Sequence, residues 1–271
     1  MFQLNIEPLP YKHILSTRVD VIDYPHTTQK IMDWAHNGQS RYVCAANVGV
    51  VMEAYDSVIF QRIVNSADIV ISDGMSIVWL LRCFGAKNAS RVYVPDLMFK
   101  VCHAAATAGV PIAFYGGLKA DLQVLCDSLT AHFPKLQISY AYAPPIAEPT
   151  PMDDEKIVQE INASGARIMF VGLGCPKQER WMVEHKGRVS VVMLGVGAAF
   201  GFRANCVTQP PNHTQNCGFN VLCRVGQHSV RLGLRYAIRN LRLFGLVVLQ
   251  FLHLRDFATG KLRSSKMSRR W

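Results

Sequence analysis

The chain has 271 residues, 50% of them hydrophobic, which suffices for one sizeable α/β core. The formal net charge is +10, and residues 221–271 carry all of it, because their eleven Lys and Arg residues face a single acid, Asp256. Residues 1–220 are therefore balanced, which argues against a nucleic-acid-binding surface spread over the body of the protein.

The longest apolar stretch, Leu243–Leu254, contains Gln250 and His253 and is much shorter than the roughly 20 residues that a membrane span needs. The first residues, MFQLNIEPLPYKHIL, lack the basic start and apolar core of a secretory signal. The eight cysteines include no CxxC pair and no zinc spacing. We therefore expect reduced thiols in the cytoplasm and no metal site.

Apolar runs rich in Val and Ile alternate with segments of helical period, which predicts a mostly parallel, Rossmann-like sheet covered by helices on both faces. The predicted strands are Arg18–Asp23, Tyr42–Ala46, Asp68–Ser72, Pro111–Tyr115, Gln137–Tyr140, Arg167–Val171 and Val191–Leu194. The predicted helices are Thr27–His36, Val48–Tyr55, Val58–Asn65, Met75–Phe84, Leu97–Ala108, Leu118–His132, Asp153–Ala163 and Pro176–His185.

From Gly218 onward the predicted strands stop, and helices carry the basic residues. The segment QPPNHTQN, residues 209–216, supplies helix breakers and polar residues. We therefore predict an α/β core at residues 1–217 and a basic helical appendage at residues 218–271. The charge of the appendage indicates an anionic partner, whereas residues 261–271 by themselves are typical of a solvated tail.

Three strand ends predict a ligand site, since ligands of parallel α/β sheets bind beyond the carboxyl ends of the strands. The first is Asp73-Gly74, which follows the strand Asp68–Ser72. Asp73 is either a helix cap or a general base that takes the proton of an attacking hydroxyl.

The second strand end is VGLGCPKQE, residues 171–179. Its glycines and the helix that follows place free amides and a helix dipole against an anion, Lys177 suits phosphate, and Gln178 offers a donor and an acceptor to a sugar. Alternatively, the glycines only tighten the turn. The dinucleotide-binding fingerprint is incomplete, because Lys177 stands where a further glycine is needed.

The third strand end is GVGAAF, residues 195–200. Small residues there allow the close approach of a phosphorylated or flat ligand, or equally the close packing of a helix on the sheet. The three strand ends together predict a ligand site more strongly than any one of them.

At these residues the sequence resembles the WecG/TagA/CpsF glycosyltransferase family, from about Tyr42 to Leu243. The most specific segment is FVGLGCPKQERW, residues 170–181, which is similar to the family signature F-V-G-L-G-x-P-K-Q-E-x-W. The supporting segments occur in the family's order and are NSADIVISDGMSIVW (65–79), RVYVPDL (91–97), FYGG (114–117), INASGARIMFVG (161–172) and GVGAAFGF (195–202).

The resemblance implies transfer of a sugar, N-acetylmannosamine-type or a uronic acid, from a UDP-sugar, with inversion and without a cofactor or required metal. The implied acceptor is an undecaprenyl-diphosphate-linked saccharide of surface polysaccharide biosynthesis. By position, Asp73 matches the general base and Gln178 a polar active-site residue. The appendage arginines that match those meeting the lipid diphosphate are Arg224, Arg231 and Arg235. The predicted donor-binding residues are Asn47, Gly74, Gly116, Gly172, Gly174, Lys177, Glu179, Gly195 and Gly197.

Four positions depart from the family pattern. Ala45 replaces a Thr, Val94 the Gly of RVxG, Gly201 an Asp, and Asn220 an acidic residue of the appendage. These departures leave open which sugar is used. They also keep an alternative, a catalytically degenerate member that acts as a binding or scaffold protein.

The appendage also predicts contact with a membrane surface. Arg224, Arg231, Arg235 and Arg242 recur at offsets that return to one face of a continuous helix, and the segment Leu241–Leu254 is apolar. Such a helix suits an anionic membrane, so we expect a cytoplasmic protein that is peripheral at the inner membrane face. The apolar side can equally pack on the sheet or in a homo-oligomer.

Two other functional classes fit the residues less well. An NAD-dependent oxidoreductase needs the full glycine fingerprint and an acid at the end of the next strand. A nucleic-acid-binding protein typically has a helix-turn-helix or an RNA-binding aromatic motif, and the sequence has neither. Titration with UDP separates these classes from a glycosyltransferase.

Overall fold

The computed structural model of the protein describes residues 9–145, 150–197, 199–200, 230–252, 254 and 257, with the backbone alone at residues 230–236. The predictions on Gly201, Asn220 and Arg224, and the predicted boundary at residue 217, lie outside these residues.

The described residues form eight strands and nine helices. The strands are β1 Tyr11–Ile14, β2 Thr17–Asp20, β3 Arg41–Ala46, β4 Ile69–Ser72, β5 Ile112–Gly116, β6 Ile138–Tyr142, β7 Ile168–Gly172 and β8 Val192–Gly195. The helices are α1 Tyr24–His36, α2 Val48–Asp56, α3 Val58–Asn65, α4 Met75–Cys83, α5 Val94–Ala108, α6 Lys119–His132, α7 Pro151–Ala163, α8 Lys177–His185 and α9 Val230–Phe251.

Six strands form one parallel sheet in the order β4-β3-β8-β7-β5-β6, which confirms the predicted fold class. Successive side chains of a strand point to opposite faces. In β3, Tyr42 and Cys44 face a core formed with α2, α3, α4, α7, α8 and α9, and Val43 and Ala45 face a core formed with α1, α5 and α6. Both faces are covered, which explains the uninterrupted apolar strands.

The hairpin of β1 and β2 lies beside the sheet. The predicted strand Arg18–Asp23 is in fact Thr17–Asp20, and it pairs antiparallel with Tyr11–Ile14 and does not join the parallel sheet. Asp20 is buried and accepts the backbone N–H of Val70 in the edge strand β4 at 2.7 Å. This hydrogen bond fixes the hairpin against the sheet.

Helix α9 is amphipathic, with one side packed on the core. Leu243 and Val247 are buried, whereas the opposite side is exposed. The exposed apolar residues of this helix are Ile238, Leu241, Phe244, Val248, Leu249 and Phe251. Among the described residues, no helix has both the length and the apolar character that crossing a bilayer requires.

Polar contacts hold the second half of α9 on the core. Arg242 donates two hydrogen bonds to the Asp56 carboxylate, at 2.6 and 2.7 Å. Farther along, Gln250 accepts the backbone N–H of Leu15 at 2.7 Å and donates to the carbonyl of His13 at 3.0 Å. The described part of the predicted appendage is therefore docked on the core from α2 to the β1–β2 hairpin.

Gly116 is needed for the contact between β5 and β7. Its φ is +114°, and a Cβ there would lie 2.6 Å from the carbonyl carbon of Gly172. Gly109 also has a positive φ, +65°, but a Cβ there would meet nothing within 4 Å. We expect Gly116→Ala to lower the free energy of unfolding by about 1–3 kcal/mol more than Gly109→Ala, because only the first change adds overpacking to backbone strain. Urea unfolding measures the difference, and equal losses would contradict it.

Candidate functional site

The predicted site residues gather at the carboxyl edge of the sheet. Asp73 follows β4, Asn47 follows β3, Gly197 lies two residues beyond β8, and Gly174 lies two residues beyond β7. These four strands are consecutive in the sheet. The chain order alone does not show this adjacency, because β8 inserts between β3 and β7.

Asp73 and the Gly172 turn are predicted from the sequence to belong to one site. They lie at the same edge but three strand spacings apart, or about 14 Å. A ligand that touches both therefore has to extend across the ends of β3 and β8.

Asp73 has a structural contact as well as a position at the edge. Its Oδ1 accepts the backbone N–H of Val94 at 3.0 Å, the first residue of α5. Asp73 therefore caps α5, whereas α4, the helix that directly follows it, has Gly74 at the cap position and no side-chain cap. This contact also explains why α5 begins at Val94, three residues before the predicted start.

Two residues without a predicted role lie beside Asp73. The Nε of Arg91 donates to the Asp73 carbonyl at 2.7 Å, and its guanidinium lies 4.2 Å from the Tyr93 ring centroid. The Tyr24 hydroxyl accepts the Tyr93 N–H at 2.9 Å, and burial raises the pKa of Tyr24 to about 12. Arg91 was within the predicted motif RVYVPDL, but Tyr24 carried no signal in the sequence.

Asn47 caps α2, since its Oδ1 accepts the N–H of Val50 at 3.1 Å. The Gly74 loop adjoins it, because a Cβ on Gly74 would lie 3.9 Å from the Cβ of Asn47. The loops after β3 and β4 are thus in contact, and the start of α2 points its free amides to this edge.

Helix α9 brings arginines toward the same edge. Arg239 lies 3.9 Å from the Glu53 carboxylate and beside Gly49, in the first turn of α2. Because Arg242 meets Asp56 at the end of α2, α9 runs alongside α2 in the same direction. Helix positions 235 and 231 therefore lie about 6 and 12 Å before Arg239, past the start of α2. Arg239 had no predicted role in the site.

The glycines after β7 have different surroundings. A Cβ on Gly172 would lie 2.5 Å from the Phe200 ring, so this glycine makes room for Phe200. A Cβ on Gly174, whose φ is +78°, would meet nothing within 4 Å, and Lys177 is exposed. The space beside Gly174 and Lys177 is therefore open to the predicted donor, whereas Gly172 allows Phe200 to pack against the sheet.

Gln178 and Glu179 are buried at the start of α8, with 5% and 0% of their surfaces exposed. The Nε2 of Gln178 donates to Oε1 of Glu179 at 2.9 Å. Burial raises the pKa of Glu179, and the charge of Glu53 raises it further. Glu179 has no exposed surface, and its contact with a donor stays a prediction.

A family profile described as "Glycosyl transferase WecG/TagA/CpsF family" matches residues 12–256. The chain belongs to the WecG/TagA/CpsF family. An N-acetylglucosaminyldiphosphoundecaprenol N-acetyl-beta-D-mannosaminyltransferase of Bacillus spizizenii is 25% identical over 174 residues, 63% of this chain and 65% of the relative. A protein of the same name from Staphylococcus aureus is 24% identical over 206 residues, 72% of this chain and 79% of the relative. The chain thus spans slightly less than two thirds of the Bacillus relative.

Two of the departures from the WecG/TagA/CpsF pattern lie together. Ala45 and Val94 line one small apolar cavity of about 10 Å³, with Ile71 and Leu194. Val94 is also the residue whose N–H Asp73 accepts, so these two positions form one local region near Asp73. The described residues contain no group of three or more His, Cys, Asp or Glu that suits a metal ion.

The buried carboxyl of Glu179 predicts a pH-dependent stability. Because its pKa is raised in the folded state, the folded protein holds this proton more tightly than the unfolded chain does. Its contribution to stability is therefore full below the ordinary value of 4.5 and is lost as pH rises through the raised pKa. We therefore expect the melting temperature of Glu179→Gln to rise relative to that of the wild type as pH increases through this range. Glu184→Gln, on the exposed side of the same helix, is the matched control and should show no such trend.

Proposed function

We propose that the protein transfers an N-acetylmannosamine-type sugar or a uronic acid from a UDP-sugar to an undecaprenyl-diphosphate-linked saccharide. Both relatives are named for N-acetylmannosaminyl transfer to N-acetylglucosaminyldiphosphoundecaprenol. The observation that carries the proposal is the placement of Asp73, Asn47 and the Gly174 turn on one sheet edge, beside the arginine-bearing part of α9.

Asp73 acts as the general base in this proposal. Its carboxylate takes the proton of the acceptor hydroxyl while that oxygen bonds to the anomeric carbon of the donor. The bond from this carbon to UDP breaks, and its electron pair leaves on the diphosphate. Attack from the side opposite UDP inverts the anomeric configuration, and the reaction is proposed to need neither a cofactor nor a metal.

The leaving diphosphate needs positive partners at the same edge. In this proposal they are the first amides of α2, the exposed Lys177 at the start of α8, and the arginines of α9, Arg239 among them. Because Asp73 and the β7 turn lie three strand spacings apart, the donor is proposed to lie along the edge, across the ends of β3 and β8.

Replacing Asp73 tests this proposal. Asp73→Asn keeps an oxygen that accepts the Val94 N–H, so we expect an unchanged free energy of unfolding and a turnover lowered by about 10²–10⁴-fold. Mass spectrometry of the product, formed from a panel of UDP-sugars and a short-chain lipid-diphosphate acceptor, measures the transfer.

Asp73→Ala is the companion variant, because it removes the cap of α5 as well as the base. It should lose the same turnover and, in addition, about 1 kcal/mol of stability. Near-normal turnover of Asp73→Asn would remove Asp73 from the base role. A wild type that binds UDP but transfers no sugar would favour the degenerate binding protein.

The site is proposed to work at the inner face of the cell membrane, with the exposed side of α9 against the lipid. This side carries exposed apolar residues such as Leu241 and Val248, 77% and 54% exposed. Arg239 and Arg242 flank it on the side of α2, where they meet Glu53 and Asp56. A helix of this kind suits an anionic interface.

We expect the pair Leu241→Glu and Val248→Glu to reduce binding to vesicles that contain acidic lipids by about tenfold, measured by flotation. Both residues are exposed, so the fold should not change, whereas deleting residues 243–271 would also remove the buried Leu243 and Val247. Ile59→Glu, at a 71% exposed position on α3, is the control. Unchanged flotation of the double variant, with a shift in oligomeric state, would assign this side of α9 to a second copy of the chain.

A further inference from the structure

The side chain of Gln178 leaves a buried oxygen without a hydrogen bond. Among the described residues, Oε1 of Gln178 has no hydrogen-bond partner. A buried polar atom without a partner costs about 1–3 kcal/mol. Such atoms in a folded protein call for an explanation, and a bound ligand or an internal water supplies one.

The hydrogen bond between Gln178 and Glu179 fixes the direction of the Gln178 amide. The NH₂ group of Gln178 donates to Oε1 of Glu179, which accepts as a carboxylate oxygen or as the carbonyl oxygen of the protonated carboxyl. The carbonyl oxygen of Gln178 then points the other way. Glu179 therefore decides which atom of Gln178 is presented away from it.

That carbonyl oxygen lies at the carboxyl end of β8. A Cβ on Gly195 would lie 3.0 Å from Nε2 of Gln178, and a Cβ on Gly197 would lie 3.5 Å from Oε1. Glycine at both positions leaves room for the amide. Residue 197 has no side chain that would cover Oε1.

The free atom of Gln178 is an acceptor, which limits what it can bind. Phosphate oxygens also accept at neutral pH, so Oε1 is a poor partner for the diphosphate. A sugar hydroxyl or an acetamido N–H donates and is a suitable partner.

We propose that Glu179 is a positioning residue that holds the Gln178 amide so that its carbonyl oxygen accepts a hydrogen bond from the transferred sugar. The contact is made by a hydroxyl or by the N–H of an acetamido group. This inference rests on the proposed function, because it places the sugar of the donor at the ends of β8 and β7. In this inference Gln178 recognises the sugar, and the amides and cations at the sheet edge bind the diphosphate.

The test compares two variants of the full chain. Glu179→Gln keeps an oxygen that can accept from Gln178, and Glu179→Leu removes it. Calorimetric titration with UDP and with UDP-N-acetylmannosamine should show unchanged UDP affinity in all three proteins. Affinity for the UDP-sugar should fall about tenfold in Glu179→Leu, the size of one hydrogen bond, and less in Glu179→Gln. Glu184→Gln is the control.

A second readout does not depend on activity. In the wild type, the side-chain NH₂ of Gln178 should give a nuclear magnetic resonance signal protected from hydrogen exchange, and Glu179→Leu should lose this protection. Three results would each overturn the inference. The first is exchange of the Gln178 NH₂ group at the solvent rate in the wild type, and the second is an equal loss of UDP and UDP-sugar affinity in Glu179→Leu. The third is an ordered water bound to Oε1 of Gln178 in the sugar-bound protein. The proposed function would be wrong if the wild type neither bound the UDP-sugar more tightly than UDP nor transferred sugar. If only the inference about Glu179 is wrong, the wild type still transfers sugar.

Discussion

The parallel pairing of β3 with both β4 and β8 is the constraint on which the candidate site depends. In a parallel sheet all strands end at the same edge, so loops that are far apart in the chain become neighbours. Because β8 lies between β3 and β7, the Asp73 loop and the Gly174 turn lie at opposite ends of an elongated site along the sheet edge. This geometry suits an extended substrate with two chemically different ends.

Asp73 has a structural role and, in the proposed mechanism, a chemical one. One carboxylate oxygen satisfies the first amide of α5, which fixes the orientation of the group at the edge. If Asp73 is the base, a carboxylate held in this way needs little reorganisation before it accepts a proton. Val94, whose N–H Asp73 accepts, also lines the small apolar cavity that Ala45 lines.

The parallel sheet and most helices followed from the sequence, because buried strands are uninterrupted apolar runs and the helices between them are amphipathic. The strand order, and with it the spacing of Asp73 from the β7 turn, did not follow, since it depends on long-range pairing. The burial of Glu179 was missed for a related reason: the sequence shows an acid in the first turn of a helix, a position that is usually exposed and favoured by the helix dipole. Tyr24 contacts Tyr93, and Arg239 contacts Glu53. Both contacts join residues far apart in the chain, so the sequence pattern does not show them.

The hydrogen bond from the backbone N–H of Leu15 to the side chain of Gln250 joins residues 235 positions apart. During synthesis, the ribosome releases the amino-terminal hairpin long before Gln250 and Leu243 exist. At about 5–20 residues per second the wait is on the order of ten to fifty seconds. Throughout this interval the apolar surface that Leu243 and Val247 later cover has no cover from α9.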